Sequence, residues 1–250
     1  MGQPKIIAVC GKGGVGKTSI SALTVKTLLA RNKKVLAIDA DPAIGLSTAL
    51  GVAIGQTVDD IRNEIIWAGR AGSRQKQQAI LSHLNYRVLE AMVESQGFAF
   101  LAIGRPETEG CYCKVNDYLK EIIESLSADF DYVVIDGEAG IEQINRRVMD
   151  NITHLLLVSD ASRKGINVIQ TIAGVAKGLI NNAQVGVMLN RITGSDELNM
   201  VNLDGMPLLA CITEDSGIRS FDIQGKSLLE LDSPTSVELE KGLRAFGFID

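Results

Sequence analysis

The chain has 250 residues, of which 46% are hydrophobic and 22% charged, with a formal net charge of −5 at pH 7. Length and apolar content predict one large α/β domain over residues 1–250 with a full core. The acidic balance argues against a general affinity for nucleic acid or anionic lipid, and no apolar stretch approaches the ~20 residues that span a bilayer.

Residues 1–5 run directly into an apolar segment and leave no room for a signal peptide, so a cytoplasmic protein is expected. Apolar, β-branched runs at 5–9, 35–39, 98–103, 132–136, 154–159, 185–190 and 208–212 read as strands. They are nearly continuous rather than alternating, as parallel strands covered on both faces are. Helical patterns fall between them at 17–31, 57–68, 75–84, 115–126, 141–150, 163–179 and 235–246. This alternation predicts a mostly parallel central sheet flanked by helices on both faces, with ligands bound outside the carboxyl ends of the strands.

Between the first strand and the first helix lies Gly11-Lys12-Gly13-Gly14-Val15-Gly16-Lys17-Thr18, the G-x-x-x-x-G-K-[ST] pattern in the strand–turn–helix context of a phosphate loop. Glycine lets backbone N–H groups curl around phosphate oxygens that side chains would obstruct. Gly13, Gly14, Val15, Gly16, Lys17, Thr18 and Ser19 are therefore the expected phosphate-binding residues. Lys17 brings charge to the terminal phosphates, and the Thr18 hydroxyl serves Mg²⁺.

The second strand ends in Asp39-Ala40-Asp41-Pro42. Two acids at one strand tip call for a cation, which assigns Asp39 to the Mg²⁺ shell and Asp41 to the attacking water. The run at 132–136 delivers Asp136, a further Mg²⁺ residue, into a loop bounded by Gly137 and Gly140. At the end of 185–190, the amide of Asn190 can read both donor and acceptor on adenine, with Arg191 beside it. Thr213, Glu214 and Asp215 are candidates to close over the base. Cys10 and Cys211 read as small core residues, and His83 and His154 as structural. Trp67, Arg70, Arg74 and Lys76 read as a solvated helix face.

Lys12 with Lys17 in one loop, Asp39-Ala40-Asp41-Pro42, Asp136-Gly137-Glu138-Ala139-Gly140 and Asn190-Arg191 together resemble the deviant phosphate-loop ATPases, the group of MinD, ParA and the nitrogenase iron protein. The resemblance spans nearly the whole chain and implies a P-loop NTPase fold, an ATP-driven homodimer, and a catalytic Lys12 acting on the partner's nucleotide, as an arginine finger does. A proline common in that family after the last strand is replaced here by Thr213.

Gly104-Arg105-Pro106-Glu107-Thr108-Glu109-Gly110-Cys111-Tyr112-Cys113 narrows the resemblance to the CooC-type nickel-insertion ATPases. That implies delivery of nickel to carbon monoxide dehydrogenase or to acetyl-CoA synthase. One chain offers two thiolates, Cys111 and Cys113, too few for a closed site; a two-fold dimer offers four, suited to Ni²⁺ or Zn²⁺. ATP and Mg²⁺ are the expected cofactors, with no nucleic acid and no membrane as partner. The alternatives are a partitioning switch of the MinD or ParA kind and an electron donor with a dimer-bridging [4Fe–4S] cluster. The acidic tail weighs against the first, and the two-residue spacing of the cysteines against the second.

Overall fold

In a computed structural model of the chain, residues 3–250 are described apart from 72–73, 96, 106–112, 139 and 181. An eight-stranded sheet runs through the molecule in the order β3-β4-β2-β5-β1-β6-β7-β8. The strands are β1 (Lys5–Gly11), β2 (Val35–Asp39), β3 (Val93–Ser95), β4 (Phe98–Ala102), β5 (Tyr132–Asp136), β6 (His154–Ser159), β7 (Gln184–Ile192) and β8 (Leu208–Thr213). All neighbours pair in parallel except β3, which runs antiparallel to β4 at one edge. The bounds of β2, β5 and β6 are those the apolar runs predict. The three-residue β3 is an addition, too short and too polar to stand out in the sequence.

Eleven helices are described: α1 (Lys17–Leu29), α2 (Gly45–Leu50), α3 (Val58–Arg70), α4 (Arg74–Ser82), α5 (Leu84–Ala91), α6 (Cys113–Ser127), α7 (Ile141–Arg147), α8 (Arg163–Leu179), α9 (Ser195–Leu198), α10 (Ser216–Gln224) and α11 (Pro234–Ala245). Local chemistry sets several of their starts. Thr57 and Asp60 form a capping box on α3, Ser162 caps α8, and Ser233 caps α11 with Pro234 following. The short α2 and α10 escape the apolar-periodicity reading; α10 has no buried residue at all.

The sheet divides the core in two. From β1, Ile6, Ala8 and Cys10 point to one face, where they meet Ile61 of α3, Val88 of α5, Ile123 of α6, Ile144 of α7 and Ile169 of α8. Ile7 and Val9 point to the other face, against Ile20 and Leu23 of α1, Leu46 of α2 and Leu239 and Leu243 of α11. Period-2 alternation on a strand covered on both faces is what makes its sequence read as uninterrupted apolar. Cys10 is fully buried as expected; Cys211, on the edge strand β8, is half-buried. The register aligns Val9 of β1, Asp39 of β2 and Asp136 of β5 at one carboxyl edge, with Gly11 two residues further along β1.

Candidate active site

The loop between β1 and α1 has the shape of an anion cradle. Gly14 and Gly16 hold φ of 81° and 93°, the left-handed region that glycine enters without cost. A Cβ on Gly16 would lie 2.5 Å from Asn190 Nδ2, so glycine is also required by space. By contrast, a Cβ on Gly13 or Gly14 would meet nothing within 4 Å, which leaves the inside of the loop open. No side chain caps α1 and no acid stands in its first turn, so its leading N–H groups and positive end remain available to an anion. Lys17 is buried at 7% exposure, with Nζ 3.4 Å from the Lys12 carbonyl oxygen. A buried ammonium holding one long bond to a carbonyl suits a phosphate oxygen as its counter-charge.

Two carboxylates, both fully buried, sit side by side, Asp39 and Asp136 being register partners on β2 and β5. Asp39 accepts from Asp41 N at 3.1 Å through Oδ1 and from Leu46 N at 2.8 Å through Oδ2. It thus ties down the loop that carries Asp41. Burial, then the neighbouring Asp136, push its carboxyl up to about 7 against those backbone bonds. Asp136 accepts from Ser21 Oγ at 3.0 Å through Oδ1, while its Oδ2 is buried without a partner. Burial raises it to about 6, opposed by the Thr18 and Ser21 hydroxyls and by Lys17. An orphaned carboxylate oxygen beside a Thr hydroxyl fits a hydrated Mg²⁺, for which Thr18 and Asp136 are the natural holders. Bound there, the ion neutralises charge on the phosphates. Asp41 is partly exposed, its Oδ1 engaged by Ala43 N at 2.9 Å. Next to it Ile44 holds φ 50°, an uncommon state for a β-branched residue, and Gly45 packs on Thr18.

Lys12 turns aside to β6: its Nζ donates to Asp160 Oδ2 at 3.1 Å. Burial would raise Asp160, but the Ser162 hydroxyl and Lys12 outweigh it and hold the carboxyl below its usual range. Asp160 and Ser21 were not among the sequence candidates. Asp160 follows a buried strand just as Asp136 does, so the signal for it was present; Ser21 carries no such mark.

A cavity of about 440 Å³ adjoins the loop, lined by Gly16, Ser19, Asn190, Arg191, Glu214 and Arg219 among others. Its place beside the cradle and its polar lining fit a nucleoside. Asn190 donates through Nδ2 to the Val15 carbonyl at 2.8 Å, so in this structure half of its amide supports the loop from beneath. Arg191 is exposed, with φ 59°. Thr213, Glu214 and Asp215 line this cavity too, and Asp215 also joins two helix starts: it accepts from Gly217 N at 2.7 Å in α10, from Thr235 Oγ1 at 3.0 Å in α11 and from the hydroxyl of its cap Ser233.

Cys111 lies outside the described residues, and Cys113 is the first residue of α6. The chain leading to them leaves β4 at the same carboxyl edge. There Ile103 N donates to the Asp39 carbonyl at 2.8 Å, and Asp59 N, in the first turn of α3, donates to the Ile103 carbonyl at 2.9 Å. Trp67 is 60% exposed with the Arg70 guanidinium 5.6 Å from its ring centroid, while the side chains of Arg74 and Lys76 lie outside the described residues.

Fold and site together define a P-loop ATPase. A family model described as an AAA domain matches residues 4–185, and the chain belongs to that family, among the MinD/ParA-like P-loop ATPases. An uncharacterized ATP-binding protein of Methanocaldococcus jannaschii is 35% identical over 93% of each chain. The carbon monoxide dehydrogenase accessory protein CooC of Rhodospirillum rubrum is 28% identical over 90% of this chain and 89% of its own. Among solved structures, the cell division ATPase MinD of Pyrococcus furiosus superposes with a TM-score of 0.72 at 25% identity, covering 99% of this chain and 100% of that one.

Proposed function

We propose that the protein is an ATP-driven metallochaperone that works as a homodimer and carries Ni²⁺ or Zn²⁺ between the Cys111 and Cys113 pairs of two copies. The observation that carries this reading is the Ile103–Asp39 hydrogen bond. It joins the root of the cysteine-bearing segment to Asp39, whose side chain holds the loop of Asp41, a route by which a change at the terminal phosphate would be felt at Ile103. The similarity to CooC supports nickel as the cargo and a nickel enzyme, carbon monoxide dehydrogenase or acetyl-CoA synthase, as the client. In this reading Lys17 and the loop amides bind phosphates, and Thr18 and Asp136 hold Mg²⁺ with Asp39 behind them. Asp41 orients water, and Lys12, released from Asp160, acts on the partner's nucleotide. Asn190 and Arg191 face the base from the end of β7.

Metal titration with and without ATP, read together with oligomeric mass, tests it. Cys111→Ala or Cys113→Ala should abolish metal binding by the dimer and leave nucleotide affinity within about twofold. Unchanged metal stoichiometry in either variant would sink the proposal.

A partitioning ATPase is the second reading, favoured by a MinD of Thermotoga maritima that is 30% identical over 74% of this chain. The placement of α11 weighs against a membrane form of it. Its Leu239 and Leu243 are buried against the sheet and α1, so these two leucines are not available to a bilayer. No helix among the described residues is long and apolar enough to cross a membrane. Pelleting with liposomes or DNA in the presence of ATP separates the two readings.

A further inference from the structure

Three buried hydroxyls lie along α1, and they behave differently. Thr24 Oγ1 donates to the Ile20 carbonyl at 2.7 Å and Thr27 Oγ1 to the Leu23 carbonyl at 2.9 Å, the back-bond to residue i−4 that helix hydroxyls commonly make. Ser21 does not take the equivalent bond. It reaches out of the helix to Asp136 Oδ1 at 3.0 Å, and both residues are fully buried, so no water competes for either end. We infer that Ser21 is a positioning residue for magnesium: by holding Oδ1 of Asp136 it leaves Oδ2 as the oxygen offered to the ion and its waters.

The surroundings explain why a dedicated donor is needed. Both oxygens of the adjacent Asp39 are occupied by backbone N–H groups, so Asp39 is immobile and cannot make way. Asp136 alone in this buried pair keeps an unpartnered oxygen. Without a donor on Oδ1, nothing but the Thr18 hydroxyl would decide which of the two oxygens is offered to the ion. Ser21 stands one helical turn after Lys17 and so shares its face. One rigid helix therefore sets the phosphate lysine, the Thr18 hydroxyl and the orientation of the Asp136 carboxylate. The tether adds no charge; it fixes geometry in the manner of the outer-shell hydrogen bonds that orient metal-binding carboxylates.

The inference rests on the magnesium–nucleotide reading of the site and is independent of the metal cargo. Ser21→Ala and the near-isosteric, weakly donating Ser21→Cys test it, with a fluorescent ATP analogue as probe. Affinity for the analogue is measured first in EDTA, then as Mg²⁺ is titrated in. The expected result is unchanged affinity in EDTA within about twofold. The Mg²⁺ half-saturation should rise about tenfold in Ser21→Ala, with Ser21→Cys between it and wild type, as loss of a bond to a charged group implies. A Mg²⁺ requirement within twofold of wild type in Ser21→Ala would overturn the inference. So would an equal loss of affinity in EDTA and in Mg²⁺, the mark of a merely structural serine. If Ser21→Ala fails to fold, Ser21→Cys decides by the same criteria. A wild-type protein whose affinity ignores Mg²⁺ would defeat the magnesium reading itself, a distinguishable outcome.

Discussion

Lys12 and Lys17 leave the same loop for different partners. Lys17 is buried against the loop with no carboxylate bonded to it among the described residues, while Lys12 is spent on Asp160 within its own chain. In the proposed mechanism that ion pair must open before Lys12 can reach a second subunit. The pair is about one-third exposed at each end, so breaking it costs no more than about 1 kcal/mol. Asp160→Asn should therefore promote the ATP-bound dimer only modestly, lowering its dissociation constant up to about fivefold. Sedimentation with a slowly hydrolysed ATP analogue measures this, and a constant that rises or stays fixed would show that the pair does not restrain Lys12. Neither the pair nor the Ser21–Asp136 bond is visible in sequence, because their members stand 148 and 115 positions apart.

At the scale of the element, the strand–loop–helix unit from Lys5 to Leu29 was legible because each part has its own local signature. The apolar run makes β1, glycines make the turn, and small and apolar residues let α1 be buried nearly all round. Packing supplies the reason for the first glycine of the phosphate-loop motif. A Cβ on Gly11 would come within 2.0 Å of the Val158 carbonyl oxygen on β6, and φ there is 154°. Backbone cannot give way as a flexible side chain can, so Gly11→Ala should destabilise the fold by about 3 kcal/mol, within the range of overpacking. Urea unfolding without nucleotide measures it. A loss below about 1 kcal/mol would mean that β1 and β6 slide apart easily. The short α2 and α10 were not legible for a converse reason. Neither start rests on an apolar stripe: α2 begins where Asp39 holds Leu46 N, and α10 at its own cap Asp215, which also bonds Thr235 of α11.

Over the whole molecule, the C-terminal residues close the core at the end of the sheet opposite the nucleotide. Phe248 stacks edge-on to Tyr132 and His154, Phe246 does so to His154, and Lys5 Nζ donates to the Gly247 carbonyl at 2.9 Å. Burial, then Lys5, lower His154 to about 4, and its Nε2 is buried without a partner. A histidine held neutral in this way supports the fold fully above its unfolded pKa of about 6.5 and loses that support as pH falls toward 4. His154→Leu should remove this dependence: between pH 7 and pH 5 wild type should lose about 2 kcal/mol more than the variant. Parallel pH profiles for the two would show that His154 does not titrate with unfolding. By itself, the sequence determined the parallel strands and the longer helices, the phosphate loop and the acidic strand ends, because periodicity, glycine and burial on both faces are written locally. Only the tertiary structure decided which oxygen of Asp136 is free, that Lys12 is paired in cis, and that Asn190 supports the loop from 175 positions away. Those facts depend on which strands become neighbours, and neighbours in a parallel sheet are joined through long crossovers rather than adjacent sequence.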